Sequence, residues 1–161
     1  MREIKKALEN RLKLAQRVAL LAVGSQDKGD DAAGVLAVGG LTNTSKFHIF
    51  IGATAPENLT GEIKKYNPTH IIIIDSADLG QKPGTVKIFD PQQITGDSFS
   101  THRLPLKMLA EYLRVSLNCD IMVIGIQPKS VKFSDSVCPE VQEAVNKLSQ
   151  IIKEIRETLN L

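Results

Sequence analysis

The sequence predicts a three-layer α/β/α sandwich on a mostly parallel sheet of about five strands, with one antiparallel edge strand. Three observations predict it. Four consecutive isoleucines, Ile71 to Ile74, end at Asp75. A short, unbroken β-branched run of this kind marks a strand buried on both faces in the middle of a parallel sheet. Near the start, Val18-Ala-Leu-Leu-Ala-Val-Gly24 passes straight into a Gly-rich turn and a small-residue segment, the strand–turn–helix opening of a doubly wound fold. Further along, apolar runs alternate with segments of helical spacing.

The elements follow in order. Residues 1–16 form an N-terminal basic amphipathic helix or arm, with Ile4, Leu8 and Leu12 at spacing four. Residues 17–161 then read as a single α/β domain. The first strand, 18–24, leads into Gly24-Ser-Gln-Asp-Lys-Gly-Asp-Asp-Ala-Ala-Gly34. A helix is expected from Ala32 to about Leu41, capped by Asp30 or Asp31. Phe47–Ala53 is the second strand. Pro56 and Glu57 open a helix that Pro68 stops. The central strand spans 70–75. After a turn through Gly80 and Gly84, Thr85–Asp90 is an edge strand. The connection is too short for a helix, which predicts antiparallel pairing. Residues 91–103 are a polar loop of a size often tied to function. Leu104 to about Leu117 is helical, with Leu106, Leu109, Leu113 and Leu117 on one face. Asp120–Ile126 is a further buried strand. Pro139 opens the last helix, which runs to about Leu159.

Composition excludes several function classes. The 161 residues suffice for one domain with a core, and 42% hydrophobic with 24% charged residues is ordinary globular usage. A net charge of +2 argues against nucleic acid and anionic membranes. Aromatic residues are 4% with no Trp, leaving few stacking platforms. No apolar run reaches a membrane-spanning length and the first residues lack an apolar signal core, so a cytoplasmic protein is expected. Cys119 and Cys138 form no CxxC pair and are expected as reduced thiols. The apolar positions are used up by the sandwich, leaving no spare apolar helix face, so a monomer is expected.

Right-handed crossovers would bring the 24–34 loop, the Asp75 end and the Ile126 end to one rim. Three features can converge there: Asp30 and Asp31, Asp75 and Asp78, and His102 in the polar loop. Two carboxylate positions with one imidazole suit a divalent ion, and donor softness alone does not choose among Zn, Ni, Mn and Fe. Each residue also has a plainer reading: Asp30 or Asp31 as helix caps, Asp75 in a turn, His102 as a loop brace. His48 and His70 lie within strands and read as structural. Gly24 and Gly29 have P-loop spacing, but Asp30-Asp31 stand where Lys-Ser/Thr would follow. Two acids there compete with a phosphate for the helix N-terminus, which disfavours nucleotide binding.

These motifs together resemble the hydrogenase maturation endopeptidases, which trim the C-terminus of the nickel-iron hydrogenase large subunit. The resemblance rests on Gly29-Asp-Asp-Ala-Ala-Gly34, Ile74-Asp-Ser-Ala-Asp-Leu-Gly80 with Pro83-Gly84, Thr101-His-Arg-Leu-Pro-Leu106, and Gly125-Ile-Gln-Pro128, over residues 18–155. Gly52-Ala-Thr-Ala-Pro-Glu-Asn58 and Gly125-Ile-Gln-Pro128 are most similar to the hydrogenase-3, formate hydrogenlyase branch.

The resemblance implies a protease domain in which Asp31, Asp75 and His102 are both the catalytic centre and the metal ligands. Where many relatives carry Glu at the first of these positions, Asp31 is one methylene shorter, which would shift the metal contact. If a carboxylate serves as general base, Asp30 and Asp78 are the candidates, and Gly29, Asp78, Thr101 and Gln127 are the candidate substrate contacts. The partner the resemblance implies is a nickel-loaded large-subunit precursor, whose nickel would be the recognition element. A nickel or zinc ion bound at the same three side chains is the other cofactor reading. No Ser-His-Asp order or activated Cys is evident, which disfavours a covalent acyl-enzyme. A metal-polarised carbonyl, metal-activated water and a carboxylate base all fit the residues. Two other functions stay open beside proteolysis: a nickel-binding maturation module that does not cut, and the disfavoured nucleotide-binding domain.

Overall fold

The computed structural model describes residues 1–94 and 105–161. Among them the strands are β1 (Val18–Val23), β2 (Phe47–Ala53), β3 (His70–Ser76), β4 (Val86–Phe89) and β5 (Asp120–Ile126). The helices are α1 (Arg2–Leu12), α2 (Ala33–Leu36), α3 (Thr60–Tyr66), α4 (Leu106–Leu117) and α5 (Pro139–Leu159). Short 3-10 turns at Gly29–Ala32, Pro56–Leu59 and Pro91–Gln93 lead into or follow these elements.

The five strands form one sheet in the order β2-β1-β3-β5-β4. β1 pairs parallel with β2 and β3, and β3 pairs parallel with β5. β4 is the antiparallel edge, as the short connection predicts, but its partner is β5 and not the strand it follows. β3 lies in the middle, and Ile71 to Ile74 are fully buried. Alternate residues of each strand point to opposite faces, which separates the core in two. Leu20, Ile72, Ile74, Met122 and Ile124 pack with residues of α1, α2 and α5. Leu21, Ile71, Ile73, Ile121 and Val123 pack with residues of α3 and α4. Helices on both faces of a mostly parallel sheet make the expected three layers.

The N-terminal helix is bound into this frame. Leu8 and Leu12 lie in the core cluster shared with α5. Arg11 donates through Nε and Nη2 to both Asp120 oxygens, at 2.9 and 2.6 Å, and through Nη1 to Asp90 Oδ1 at 2.7 Å. Lys5 Nζ lies 2.8 Å from Glu154 on α5. His48 packs against Phe50 with ring centroids 4.6 Å apart and planes tilted by 45°, and the His70 ring contacts the Thr69 hydroxyl at 3.0 Å. Both histidines are thus engaged within the frame. Three helices, α3, α4 and α5, end on left-handed asparagines, Asn67, Asn118 and Asn160. Asn tolerates this conformation, so these residues stop the helices before Pro68 or any loop does.

One expectation is corrected, and another loses its premise. The helix expected over 32–41 is only a 3-10 turn and the single α-turn α2. The segment's small residues allow close docking on the strands, and Gly39-Gly40 oppose further helix. The premise for a monomer also fails, because α4 exposes Met108, Tyr112 and Val115, at spacings of four and three on one face. No described helix is long and apolar enough to cross a membrane.

Gly34 in α2 is a point of very close packing. A Cβ there would sit 2.2 Å from the Val23 carbonyl oxygen and 2.3 Å from that of Ile74. Gly34→Ala is therefore expected to destabilise the fold by about 3 kcal/mol, because the clash is with backbone that cannot yield cheaply; urea unfolding checks this. Cys119 and Cys138 carry free thiols. Burial pushes the Cys119 thiol up to about 11 from its ordinary 9.0. The thiol form is favoured in the fold, so the stability it contributes is complete below pH 9 and falls as pH rises from there toward 11. Iodoacetamide at pH 8 should label the half-exposed Cys138 well before Cys119, and both equally in urea.

Candidate functional site

The strand order reverses between β1 and β3. From β1 the chain moves outward to β2, then crosses back over β1 to β3. The C-terminal ends of β1 and β3 flank this switch point, where open α/β sheets leave a crevice for ligands. The sequence places an acid-rich segment after each of the two strands.

After β1, Gly24 takes a φ of +126°, a conformation that favours glycine. The turn folds the 3-10 segment Gly29–Ala32 back over the strand ends, and Gly34 seats α2 on the carbonyls of Val23 and Ile74. This carries Asp31 to the end of β3. Asp31 Oδ2 accepts from the Ser25 N–H at 2.8 Å, and Oδ1 accepts from the Ser76 hydroxyl at 2.8 Å. Ser76 also donates its backbone N–H to Asp75 Oδ1 at 2.8 Å. One residue therefore hydrogen-bonds both carboxylates that the sequence marks as ligands. Asp31, Asp75 and Ser76 are all buried.

Neither acid of the first motif caps a helix through its side chain. The two divide their work. Asp31 faces β3, while Asp30 faces the segment after β5. Asp30 Oδ2 accepts from the N–H of Lys129 at 2.7 Å and of Ser130 at 3.2 Å, and Oδ1 accepts from the Cys138 N–H at 2.7 Å. The Asp30 N–H donates to the Ser130 carbonyl at 2.9 Å. A buried carboxylate holding three backbone donors is the anchor of the 129–138 loop. Gly29 is buried beneath that loop, where a Cβ would meet the Ser130 carbonyl oxygen at 2.9 Å. A cleft of about 340 Å³ opens along the loop between Asp30, Lys129, Asp135 and Cys138. The same loop exposes Val131 and Phe133.

Past β3, Asp78 is exposed. Its Oδ1 accepts from the Gly80 N–H at 3.1 Å and from Gln127 Nε2 at 3.3 Å. Gln127 is buried and pins this turn. Its Oε1 accepts from the N–H of Leu79 at 2.6 Å and of Gln81 at 3.2 Å, while Nε2 also donates to the Pro128 carbonyl at 3.0 Å. Gly29 and Gln127, expected to touch substrate, are thus committed to holding loops. Thr101 and His102 lie outside the described residues.

The structure thus brings Asp31, Asp75, Asp78 and Gln127 to one rim and turns Asp30 toward its flank. Carboxylate oxygens of this kind suit divalent ions. Among the described residues, no group of three His, Cys, Asp or Glu side chains is placed to hold a metal. The phosphate reading loses its cradle, because Asp31 occupies the Ser25 N–H of the turn that would have to face an anion. Sequence reasoning assigned no role to Ser76. A signal was present: it is the one hydroxyl residue among the apolar residues of β3, and its even position places it on the face of Ile72 and Ile74, which α2 covers.

Comparison with known proteins agrees with this architecture. A family model for hydrogenase maturation protease matches residues 40–155. The chain is 34% identical over 166 residues to a provisionally named hydrogenase maturation protease of Methanocaldococcus jannaschii, covering 95% of this chain and 98% of that one. It is 33% identical over 135 residues to the hydrogenase 3 maturation protease of Escherichia coli K12, covering 81% and 85%. The crystal structure of a nickel-iron hydrogenase maturation protease from Thermococcus kodakarensis superposes with a TM-score of 0.86 at 30% identity, covering 94% of this chain and 99% of that one.

The Asp30 anchor can be tested without any substrate. Asp30→Ala leaves three backbone N–H groups of the 129–138 loop without their acceptor, so a loss of about 3 kcal/mol in urea unfolding is expected. Faster proteolytic nicking within 129–138 should accompany it.

Proposed function

Because the chain belongs to the hydrogenase maturation protease family, we propose that it is an endopeptidase that removes the C-terminal extension of a nickel-loaded nickel-iron hydrogenase large-subunit precursor. The observation that supports this most is the convergence of Asp31 and Asp75 at the β1–β3 switch point through Ser76. Burying two carboxylates on one rim costs desolvation, and a divalent cation arriving with the substrate offsets that cost.

In this reading the substrate's nickel is the recognition element. Asp31 and Asp75 dock it, with His102 as the third ligand that the resemblance implies. The site holds no metal of its own at rest and fills when the precursor binds. Selectivity for the loaded precursor then follows from the cation, since without it docking would leave two buried carboxylates facing an apolar or neutral partner.

Asp78 is the carboxylate we assign to activating water. It lies at the exposed end of the loop that Gln127 pins, whereas both oxygens of Asp30 are engaged in holding 129–138. Peptide hydrolysis needs a water, a base to take its proton and a polarised carbonyl. The rim supplies the base, and the docked nickel fixes where the extension must lie. Thr101 and Asp78 contact the extension, and Gly29 and Gln127 shape the loops around it. All the assigned groups come from one chain, so a monomer suffices. The enzyme works in the cytoplasm, without nucleic acid or membrane.

Cleavage of purified precursor, with and without nickel, tests this on a denaturing gel. Wild type should shorten only the loaded precursor. Asp31→Ala, Asp75→Ala and His102→Ala should each lose on the order of a hundredfold or more in kcat/KM. Asp78→Asn should lower kcat with KM little changed. Tight binding of loaded precursor without shortening would replace the protease by a module that only checks nickel.

A further inference from the structure

Ser76 is a buried polar residue whose side chain reaches another element. It is 2% exposed, at the last position of the central strand. A buried hydroxyl needs a partner, and here it donates to a carboxylate on another element, 45 residues away in sequence. Its backbone N–H meanwhile donates to Asp75. The serine thus spans the junction between the loop after β1 and the end of β3.

We propose that Ser76 is the positioning residue that sets the nickel-docking pair, a proposal that rests on the protease reading above. Asp31 has a short side chain with two rotatable bonds, and two neutral donors hold it. The Ser25 N–H fixes Oδ2 and the Ser76 hydroxyl fixes Oδ1. A carboxylate oxygen accepts more than one bond, so each Asp31 oxygen keeps a lone pair for a cation while its plane is locked. The donor to Oδ1 belongs to the same residue that donates to Asp75. Any shift of β3's end therefore moves both carboxylates together, and their spacing is set by one rigid strand terminus. Asp31 acts on the substrate, and Ser76 acts through Asp31.

The test uses full-length protein and nickel-loaded precursor under single-turnover conditions. Ser76→Ala should keep a cooperative melting transition yet lower kcat/KM about tenfold, with the loss falling mainly on KM. Ser76→Thr, which keeps the hydroxyl on a β-branched residue suited to a strand, should recover most of it. Ser76→Cys, close in size but a weak donor, should behave like Ser76→Ala, and it serves as the volume-conserving variant if the alanine fails to fold. In an Asp31→Asn background, Ser76→Ala should add no further loss, because the residue it positions is already disabled. Ser76→Ala cutting like wild type, or losing the same factor in the Asp31→Asn background, overturns the proposal while leaving the protease reading intact. Wild type that leaves loaded precursor uncut overturns the protease reading and this proposal with it.

Discussion

Burial of β3 on both faces is the constraint from which the rest of the molecule follows. A strand of isoleucines can be kept from water only if parallel neighbours flank it and a helical layer covers each side. α1, α2 and α5 supply one layer and α3 and α4 the other. To cover both faces, the chain leaves β1 on one side and returns to β3 from the other. The switch point is thus a by-product of covering the central strand, and the candidate site lies at the crevice it leaves.

Close approach converts that crevice into a site. Gly24 turns the chain back, and Gly34 lets α2 rest on the carbonyls of β1 and β3. With a side chain at either glycine, the 3-10 segment would stand off and Asp31 could not reach Ser76. The short helix is part of the same solution. The 3-10 turn that precedes it carries Asp30 and Asp31, both buried.

The adjacent acids show how neighbouring residues of one type acquire opposite roles. Asp31 is turned toward β3 and keeps two neutral donors. Asp30 is turned toward the loop after β5 and receives three backbone N–H groups. A tight turn points successive side chains in different directions, so one acid holds the frame while its neighbour faces the crevice. Gln127 plays the matching structural part on the other flank by pinning the turn that carries Asp78. Two hydrogen-bonded loops thereby bracket the rim that carries the candidate site.

Much of this was legible in the chain. The isoleucine run fixed the central strand, the leucines at 106, 109 and 113 the buried face of α4, and Pro139 the start of α5, because periodicity and backbone restriction are local properties. The acids at 31, 75 and 78 were legible as a set, since each lies at or just past the end of a strand that the fold class directs to one rim. The pairing of β4 with β5, the shortness of α2, the division between Asp30 and Asp31, and the bridge through Ser76 were not. Each depends on which surfaces meet after the sheet closes, and hydrogen bonds between residues 45 to 108 positions apart leave no periodic trace. Sequence alone determined the layers and the acids the rim carries; only the tertiary structure decided which acid faces the crevice, because that is set by contacts formed after the elements pack.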